Sequence, residues 1–193
     1  MYFCKRHYHI MSDNRTPEQR HKNMAAIQSA STKPELKLRR VLWCHGFRYR
    51  VNDKRLPGKP DIVLPKYRTV LFVHGCFWHG HKGCKYYTIP KTNTDFWMTK
   101  VAGNQERDQE EWRQLEAKGW FVIIVWECQL KKAVLDETIA RVEAEIRQNG
   151  EAFHSAQEER RRAREEYLKE RKALKDREVA LKAELWGTFH PNK

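Results

Sequence analysis

Residues 73–84, VHGCFWHGHKGC, concentrate side chains that bind metals. Cys76, His81 and Cys84 follow the spacing C-x4-H-x2-C, and thiolate sulfur and imidazole nitrogen are ligands that Zn²⁺ prefers. The three glycines of the segment would weaken a helix or a strand, so a loop is predicted. A structural zinc is held by four protein ligands in a tetrahedron. The segment therefore predicts a zinc-binding loop whose fourth ligand comes from another part of the chain.

Cys128 is the best candidate for that fourth ligand. It follows the most apolar run of the chain, residues 120–126, at a point where a neighbouring strand can deliver the loop. Cys4 lies in a predicted tail, and Cys44 lies beside the apolar stripe of a predicted helix, where a buried free thiol is the ordinary explanation. A lone cysteine or histidine would favour a buried or solvated residue, but three at this spacing favour a metal. Four protein ligands leave no position for a reactive water, so the predicted role is structural.

Four further ionisable residues near the loop are candidates for catalysis: Glu35, Asp61, His74 and His79. Hydrolysis of a phosphodiester needs a Lewis acid at the phosphate and a base that activates water. A carboxylate such as Asp61 suits Mg²⁺, and a histidine with a pKa near neutrality suits the base. The structural alternatives are that Asp61 is a turn residue and that Glu35 only caps a helix.

The charge distribution indicates a polyanionic partner. Lysine and arginine number 38 against 25 aspartates and glutamates, a formal charge of +13. Residues 151–193 contain 11 basic and 9 acidic residues, which leaves +11 on residues 1–150. The globular part of the chain is therefore the basic part, and nucleic acid is the first candidate ligand.

Five cysteines without a recognisable signal peptide favour a reducing compartment, in which thiols bind metals instead of forming disulfides. No apolar stretch approaches the roughly 20 residues of a membrane span. We expect a cytoplasmic protein with a tail over residues 1–14, in which either Met1 or Met11 is the start.

The first half of the chain predicts one helix and three strands around these residues. Thr32-x-x-Glu35 resembles a capping box, with Pro34 in the first turn, an apolar stripe over residues 38–42 and a stop at Gly46. Strands are predicted over residues 47–51, 62–64 and 69–73, with a proline-glycine turn at residues 56–60. Asp61 opens the second strand, so it should lie next to the start of the metal loop.

The second half predicts a helix, a strand and a helix after an irregular segment at residues 85–103. Asn104 is the predicted cap of a helix that ends at Gly119, with Trp112 and Leu115 on its core side. Residues 120–126 predict a central buried strand. A last core helix is predicted from Asp136 to Gly150.

Just over half of residues 151–186 are charged, and the segment contains no proline or glycine. Opposite charges at i and i+4, such as Glu158 and Arg162, support a solvated helix. Apolar residues follow a heptad, although Arg160, Glu170 and Arg177 occupy other positions of its seam. A weak coiled coil and a solvated single helix both remain open.

Several motifs in order resemble the Vsr, or very short patch repair, family of DNA mismatch endonucleases. They are LPGKPD at 56–61, VHGCFWHGH at 73–81 followed by a cysteine, TDFW at 94–97, N-x-x-RD at 104–108 and the segment that ends at Cys128. The resemblance covers residues 15–147. It implies an α/β fold of restriction-endonuclease-like type, related to the PD-(D/E)XK nucleases, with a mixed sheet flanked by helices and a structural zinc. It further implies a single-strand nick beside a T:G mismatch left by deamination of 5-methylcytosine.

The resemblance also implies roles for single residues. Asp61 and the backbone carbonyl of Val73 correspond to the Mg²⁺ ligands, and His79 corresponds to the histidine that activates water. His74 would assist at the scissile phosphate, and Glu35 would act through metal-bound water. The zinc ligands would be Cys76, His81, Cys84 and Cys128.

Aromatic residues near the loop correspond to residues of the family that insert into the DNA stack beside the mismatch. They are Phe77, Trp78 and Trp97, and Met24 and Ile27 correspond to a wedge from an N-terminal arm. A weakly paired mismatch is unstacked most easily, so such wedges contribute to selectivity. The alternative for the aromatic residues is packing in the core, and the glycine-rich setting of Phe77 and Trp78 favours DNA contact.

The predicted organisation is a tail at 1–14, an endonuclease domain at 15–150 and a charged helical extension at 151–193. The predicted partner is double-stranded DNA with a T:G mismatch; mismatch-repair proteins are further candidates, and a monomer acting at the bacterial nucleoid is expected. Two alternatives stay open: a related, restriction-type endonuclease of different DNA specificity, and a zinc-stabilised module that binds DNA without cutting it.

Overall fold

The computed structural model describes residues 16, 18, 19, 22 and 30–189. The predicted tail and the predicted wedge residues Met24 and Ile27 lie outside these residues. The elements in chain order are α1 (Lys33–Cys44), β1 (Ile62–Leu64), a 3₁₀ helix (Pro65–Tyr67), β2 (Thr69–His74), α2 (Thr94–Ala117), β3 (Phe121–Trp126), a 3₁₀ helix (Glu127–Leu130) and α3 (Leu135–Phe189).

The three strands form one mixed sheet in the order β1-β2-β3. β1 runs antiparallel to β2, with Ile62 opposite Leu71, and β2 runs parallel to β3, with Leu71 opposite Ile123. One face packs on α1 and α3 through a core that includes Leu38, Leu42, Leu71, Val125, Ile139 and Val142. The other face packs on α2 through Val63, Val70, Phe72 and Leu115. Helices on both faces of a mixed sheet make this an α/β protein, as predicted.

Helix α1 confirms the first predicted helix, but its start differs from a standard capping box. Thr32 Oγ1 donates to Glu35 Oε1 at 2.8 Å, and the Ser31 backbone N–H donates to Glu35 Oε2 at 2.8 Å. The Thr32 side chain caps no backbone N–H. Glu35 is buried, so its carboxylate faces inward.

Two predicted strands are different in the structure. Residues 47–51 make only the bridge between Arg50 and Val63, so no full strand forms there. β3 was predicted as a central buried strand, yet in the described part of the chain it pairs with β2 alone, and Phe121 is 36% exposed. The apolar side chains of β3 show that the strand packs against a core. They do not show whether it lies at the centre or at the edge of the sheet.

Both late helices are longer than predicted. α2 begins at Thr94 instead of Asn104, because Val101 is buried and ties the preceding turn to the core. α3 begins at Leu135 and continues through Gly150, which was predicted to end it. A Cβ at Gly150 would lie 2.6 Å from Tyr67 Cδ1, so the glycine permits close packing and does not stop the helix.

The chain divides into two compact units, Met1–Gly150 and Glu151–Lys193. In the second unit the described residues are helical, and nearly all of them are exposed. No helix in the described part of the chain has the length and apolarity that crossing a membrane requires.

Candidate metal centres and active site

Four side chains from the loop after β2 and the 3₁₀ helix after β3 converge at one point. The ligand atoms of Cys76, His81, Cys84 and Cys128 lie within 4.8 Å of one another. Cys76 Sγ lies 3.5 Å from His81 Nδ1, and Cys128 Sγ lies 3.4 Å from the same nitrogen. The ends of two parallel, neighbouring strands therefore bring the four residues together.

Backbone and ring contacts fix the loop around this cluster. The Cys76 N–H donates to Glu127 Oε1 at 3.1 Å, and the His81 N–H donates to the Cys76 carbonyl at 2.9 Å. The His81 ring stacks on Trp126, with 4.1 Å between centroids and 2° between planes. The last residue of β3 thus orients the only imidazole of the cluster.

The cluster fits a tetrahedral zinc ion. Zn–S and Zn–N bonds of about 2.3 and 2.0 Å place neighbouring sulfur and nitrogen ligands about 3.5 Å apart in a tetrahedron. The observed separations are 3.5 and 3.4 Å. Burial raises the pKa of the Cys76 and Cys128 thiols and lowers the pKa of His81. A bound dication reverses this preference for the sulfurs, because it stabilises the thiolate.

Asp61 and Glu35 form an acidic pair beside the start of the loop. Asp61 Oδ2 accepts a 2.7 Å hydrogen bond from the Val73 N–H. Burial raises the pKa of Asp61 to about 6, the Val73 hydrogen bond acts against this shift, and the nearby Glu35 carboxylate adds to it. Arg39 supplies one positive charge to the two carboxyl groups, so the ionised pair keeps a net negative charge, which is the condition that a cation relieves.

Arg39 holds this acidic pair in place, and sequence reasoning missed it. Its guanidinium donates to Glu35 Oε2 at 3.1 Å, to the Asp61 carbonyl at 3.1 Å and to Asn52 Oδ1 at 3.2 Å. It is almost fully buried. The signal was the pair Glu35 and Arg39 at i and i+4, which on a basic helix resembles a surface ion pair.

His74 and His79 form a second group with Asp108 of α2. The two imidazole rings stack with 3.8 Å between centroids and 17° between planes. Asp108 Oδ2 lies 2.6 Å from His79 Nδ1 and 3.9 Å from His74 Nδ1. Burial lowers the pKa of His74 to about 4, His79 contributes in the same direction, and Asp108 opposes it. His74 is therefore neutral at pH 7.

Asp108 is the second functional candidate that sequence reasoning missed as a site residue. Because a carboxylate only accepts hydrogen bonds, the 2.6 Å contact places the His79 proton on Nδ1 and leaves Nε2 as an acceptor. The available signal was helical spacing: Asn104, Asp108 and Trp112 recur every four residues and share one face of α2.

β2 contacts both the acidic pair of Asp61 and Glu35 and the group of His74, His79 and Asp108, and it does so through two adjacent residues. The Val73 N–H binds Asp61, and the next residue, His74, stacks on His79. His74 also contacts Trp112 of α2, with ring centroids 5.8 Å apart. The end of β2 thus contacts Asp61 through the Val73 N–H and His79 through His74, and Glu35 interacts with Asp61.

Helix α2 also holds the part of the loop that carries the aromatic residues. Asn104 Nδ2 donates to the Trp78 carbonyl at 2.9 Å, and Gln105 Nε2 donates to the His79 carbonyl at 3.0 Å. Phe77 lies with its ring centroid 5.2 Å from Trp78 and 5.3 Å from Trp97. The three predicted wedge residues therefore form one half-buried aromatic cluster.

The pair of Trp97 and Phe96 extends this cluster to the surface. Their ring centroids lie 5.1 Å apart, and Phe96 is 60% exposed. A partly buried and partly exposed group of aromatic rings is the arrangement that base stacking requires.

Comparison with known proteins identifies similar chains. Residues 12–85 match the family model of DNA mismatch endonuclease Vsr. The chain is 52% identical over 138 residues to type II nicking enzyme V.NmeAIP of Neisseria meningitidis serogroup A, an alignment that covers 71% of this chain and 98% of that protein. It is 48% identical over 120 residues to type II nicking enzyme V.XorIIP of Xanthomonas oryzae pv. oryzae, covering 62% of this chain and 88% of that protein. It is 45% identical over 121 residues to DNA mismatch endonuclease Vsr of Escherichia coli, covering 63% of this chain and 77% of that protein.

Proposed function

The chain belongs to the Vsr family of DNA mismatch endonucleases, and from this membership we propose that it nicks one DNA strand beside a T:G mismatch by Mg²⁺-dependent hydrolysis. The observation that carries the proposal is that the end of β2 contacts both groups: the Val73 N–H binds Asp61, and the ring of His74 stacks on His79, which is paired with Asp108. Pure binding of DNA has no need of a carboxylate pair and a histidine oriented by a carboxylate in one place.

We assign Asp61 and the Val73 carbonyl to Mg²⁺, with Glu35 acting through metal-bound water. The raised pKa of Asp61, about 6, supports the assignment, because a buried carboxylate beside a second carboxylate is relieved by a cation. When bound, the metal would supply a Lewis acid at the phosphate. The contacts of Arg39 keep Glu35 and the Asp61 backbone in place whether or not the metal is bound.

We assign His79 as the base that accepts a proton from the attacking water. Asp108 supports this role, because it holds the Nδ1 proton and leaves Nε2 free to accept. His74 is neutral, since its pKa is about 4. Because His74 is uncharged, it does not repel the positive charge that His79 acquires when it accepts a proton. A neutral imidazole can also donate a hydrogen bond to a phosphate oxygen.

We assign Cys76, His81, Cys84 and Cys128 to a structural zinc. The site is closed by four protein ligands, so the ion would hold the loop and take no part in hydrolysis. The loop that it anchors also carries His79, Phe77 and Trp78. Zinc would therefore determine the rigidity of the active site.

We propose that Phe77, Trp78 and Trp97 insert beside the mismatch, and that Met24 and Ile27 act from the N-terminal arm. The clustering of the three rings supports a shared role in stacking on bases. The fold is proposed to be restriction-endonuclease-like, with residues 15–150 as the endonuclease domain and 151–193 as an extension. We propose that the protein acts as a monomer in the cytoplasm, with mismatch-repair proteins as candidate partners.

A second candidate function is nicking with a different sequence specificity. Two of the similar proteins described above are named type II nicking enzymes, and this name supports an endonuclease that nicks DNA without specifying a T:G target. The catalytic groups are the same in both candidates, so only the substrate separates them.

The test incubates the protein and its Asp61→Asn variant with Mg²⁺ and duplexes that carry T:G, another mismatch or no mismatch. Each mismatch is placed in several flanking sequences, and Asp176→Asn, a substitution at an exposed residue of the extension, is the control. We expect one nick beside T:G that Asp61→Asn abolishes and Asp176→Asn retains. Equal cutting of matched duplex would contradict mismatch specificity, and unchanged cutting by Asp61→Asn would contradict the metal assignment.

A further inference from the structure

The charged helix beyond Gly150 carries most of its basic residues on one face. Arg160, Arg164, Arg171, Lys175 and Lys182 follow each other at steps of four, seven, four and seven residues. This spacing keeps side chains on the same side of an α-helix, and α3 is helical throughout this region. Two more cations, at positions 161 and 172, follow members of the row directly. We call these seven residues the basic face.

The acidic residues of the same helix lie mainly on the opposite side. Glu158, Glu165 and Asp176 form one row there, and Glu159, Glu166 and Glu170 form a second. The cations on that side are Arg162, Lys169 and Arg177. The near balance of 11 basic and 9 acidic residues in this part of the chain therefore conceals a strong separation of charge around the helix axis.

Much of the basic face is available to a ligand. Arg164, Arg171 and Lys175 are exposed and make no ion pair or hydrogen bond within the described residues. Glu178 is the one acid in the row, and it binds Lys182 at 2.6 Å. If the helix served only to stay solvated, cations and acids would be paired on every side, as they are in i,i+4 ladders.

The dimensions of the basic face suit a DNA duplex. With a rise of 1.5 Å per residue, the 22 steps from Arg160 to Lys182 span about 33 Å. One turn of B-DNA is about 34–36 Å long. A row of cations of this length spans about one helical turn, so it can reach phosphates of both strands where the backbones cross it, without contacting the bases.

We propose that the basic face binds the phosphate backbone of duplex DNA, whether or not a mismatch is present. The proposal rests on DNA as the substrate class of this family, and it does not depend on the assigned catalytic residues. A second copy of the helix is a less suitable ligand, because charged Arg160, Glu170 and Arg177 interrupt the apolar seam. The face would hold the enzyme on matched DNA between mismatches.

The test compares two triple variants of the full-length chain with identical change in charge. The first, R164Q/R171Q/K175Q, neutralises two arginines and one lysine of the basic face. The matched control, R162Q/K169Q/R177Q, neutralises two arginines and one lysine of the acidic side. Glutamine has a helix propensity close to that of lysine and arginine, so both should stay helical by circular dichroism. If the triple variant of the basic face loses helicity, the same affinity measurement is made on the single variants R164Q, R171Q and K175Q.

The measurement is affinity for a matched duplex of about three helical turns between about 50 and 200 mM KCl, by fluorescence anisotropy. Each lost phosphate contact makes the slope of log K against log[salt] shallower by about 0.9. We expect the basic-face variant to lose between two and three units of slope and at least about tenfold in affinity at the lower salt concentrations. We expect the control to stay close to wild type.

Two results would overturn the proposal: wild-type binding by the basic-face variant, or equal losses in both variants, which would reflect net charge alone. Nicking of a T:G duplex at saturating enzyme is measured in parallel, and it should be unchanged in both. A protein that binds matched DNA through this face but nicks no substrate would refute the proposed function and leave the basic face as inferred.

Discussion

Gly80 occupies the position in the loop where a single methyl group should have the largest effect. Its φ is +65°, and a Cβ would lie 2.4 Å from Gln105 Nε2 and 2.9 Å from Val101 Cγ1. Gln105 Nε2 donates to the carbonyls of His79 and Gly80, at 3.0 and 3.3 Å. Replacement by alanine must therefore displace the side chain that holds the backbone of His79.

The destabilisation expected for Gly80→Ala is the sum of two separate free-energy terms. A left-handed conformation costs an alanine about 1–2 kcal/mol relative to glycine. Displacing Gln105 leaves carbonyl groups unpaired, which costs about a further 1–3 kcal/mol. Gly83→Ala is the matched control in the same loop, because its φ is +76° and, its chain neighbours aside, no atom of the described residues lies within 4 Å of the added Cβ. Gly83→Ala should therefore be destabilised only by the cost of the left-handed conformation.

The two variants are compared by thermal unfolding and by nicking kinetics. For a chain of this size 1 kcal/mol corresponds to roughly 2–4 °C, so the second term should make Gly80→Ala unfold roughly 2–12 °C below Gly83→Ala. Gly80→Ala should also nick more slowly, by up to about 10²-fold, because a small displacement of a catalytic group is sufficient for such a loss. Equal unfolding temperatures would show that Gln105 does not fix the loop, and the positional argument for His79 would fail.

Three further outcomes are expected. Asp108→Asn should slow nicking by about 10–100-fold without weakening binding to matched DNA, whereas Glu110→Gln on the exposed side of α2 should not, and an equal effect of both would contradict the orienting role. Metal analysis of the wild type should find one zinc ion. Cys128→Ser should lose this ion and unfold at a lower temperature, whereas Cys44→Ser should keep it. Full metal content in Cys128→Ser would refute the four-ligand site. The pKa of Asp61 is raised from 3.8 to about 6, so the destabilising charged form dominates above about pH 6 and is lost below about pH 4. Asp61→Asn should therefore raise the free energy of unfolding in Mg²⁺-free buffer by about 1–3 kcal/mol at pH 7 and by much less at pH 4, and equal gains at both pH values would contradict the shift.

The site residues that could be predicted from the sequence are recognisable from neighbouring residues in the chain. The spacing of Cys76, His81 and Cys84 within nine residues is sufficient to suggest a metal. Cys128 followed from one topological step, since strand ends lie side by side, and the parallel pairing of β2 and β3 provides that step. The proline-glycine turn before Asp61 was likewise visible, and Gly58 has the positive φ, +68°, that such a turn requires.

The parts that were missed depend on distant partners. Asp108 resembles any other acid on a charged helix until His79 is placed opposite it. Gly150 resembles a helix stop, and only the ring of Tyr67 explains it as a packing residue. The apolar composition of β3 reported burial correctly for Ile123 and Val125, but the edge position of the strand depends on pairings that composition does not encode.

The adjacency of Val73 and His74 in β2 has a consequence for how this gene can vary. Successive side chains of a strand point to opposite faces, so Val73 packs toward α1 and α3 while His74 contacts Phe72 and Trp112. Inserting or deleting one codon within β2 would exchange the two faces and separate the Asp61 contact from the histidine stack at once. In-frame single-codon indels within this strand should therefore behave as null alleles.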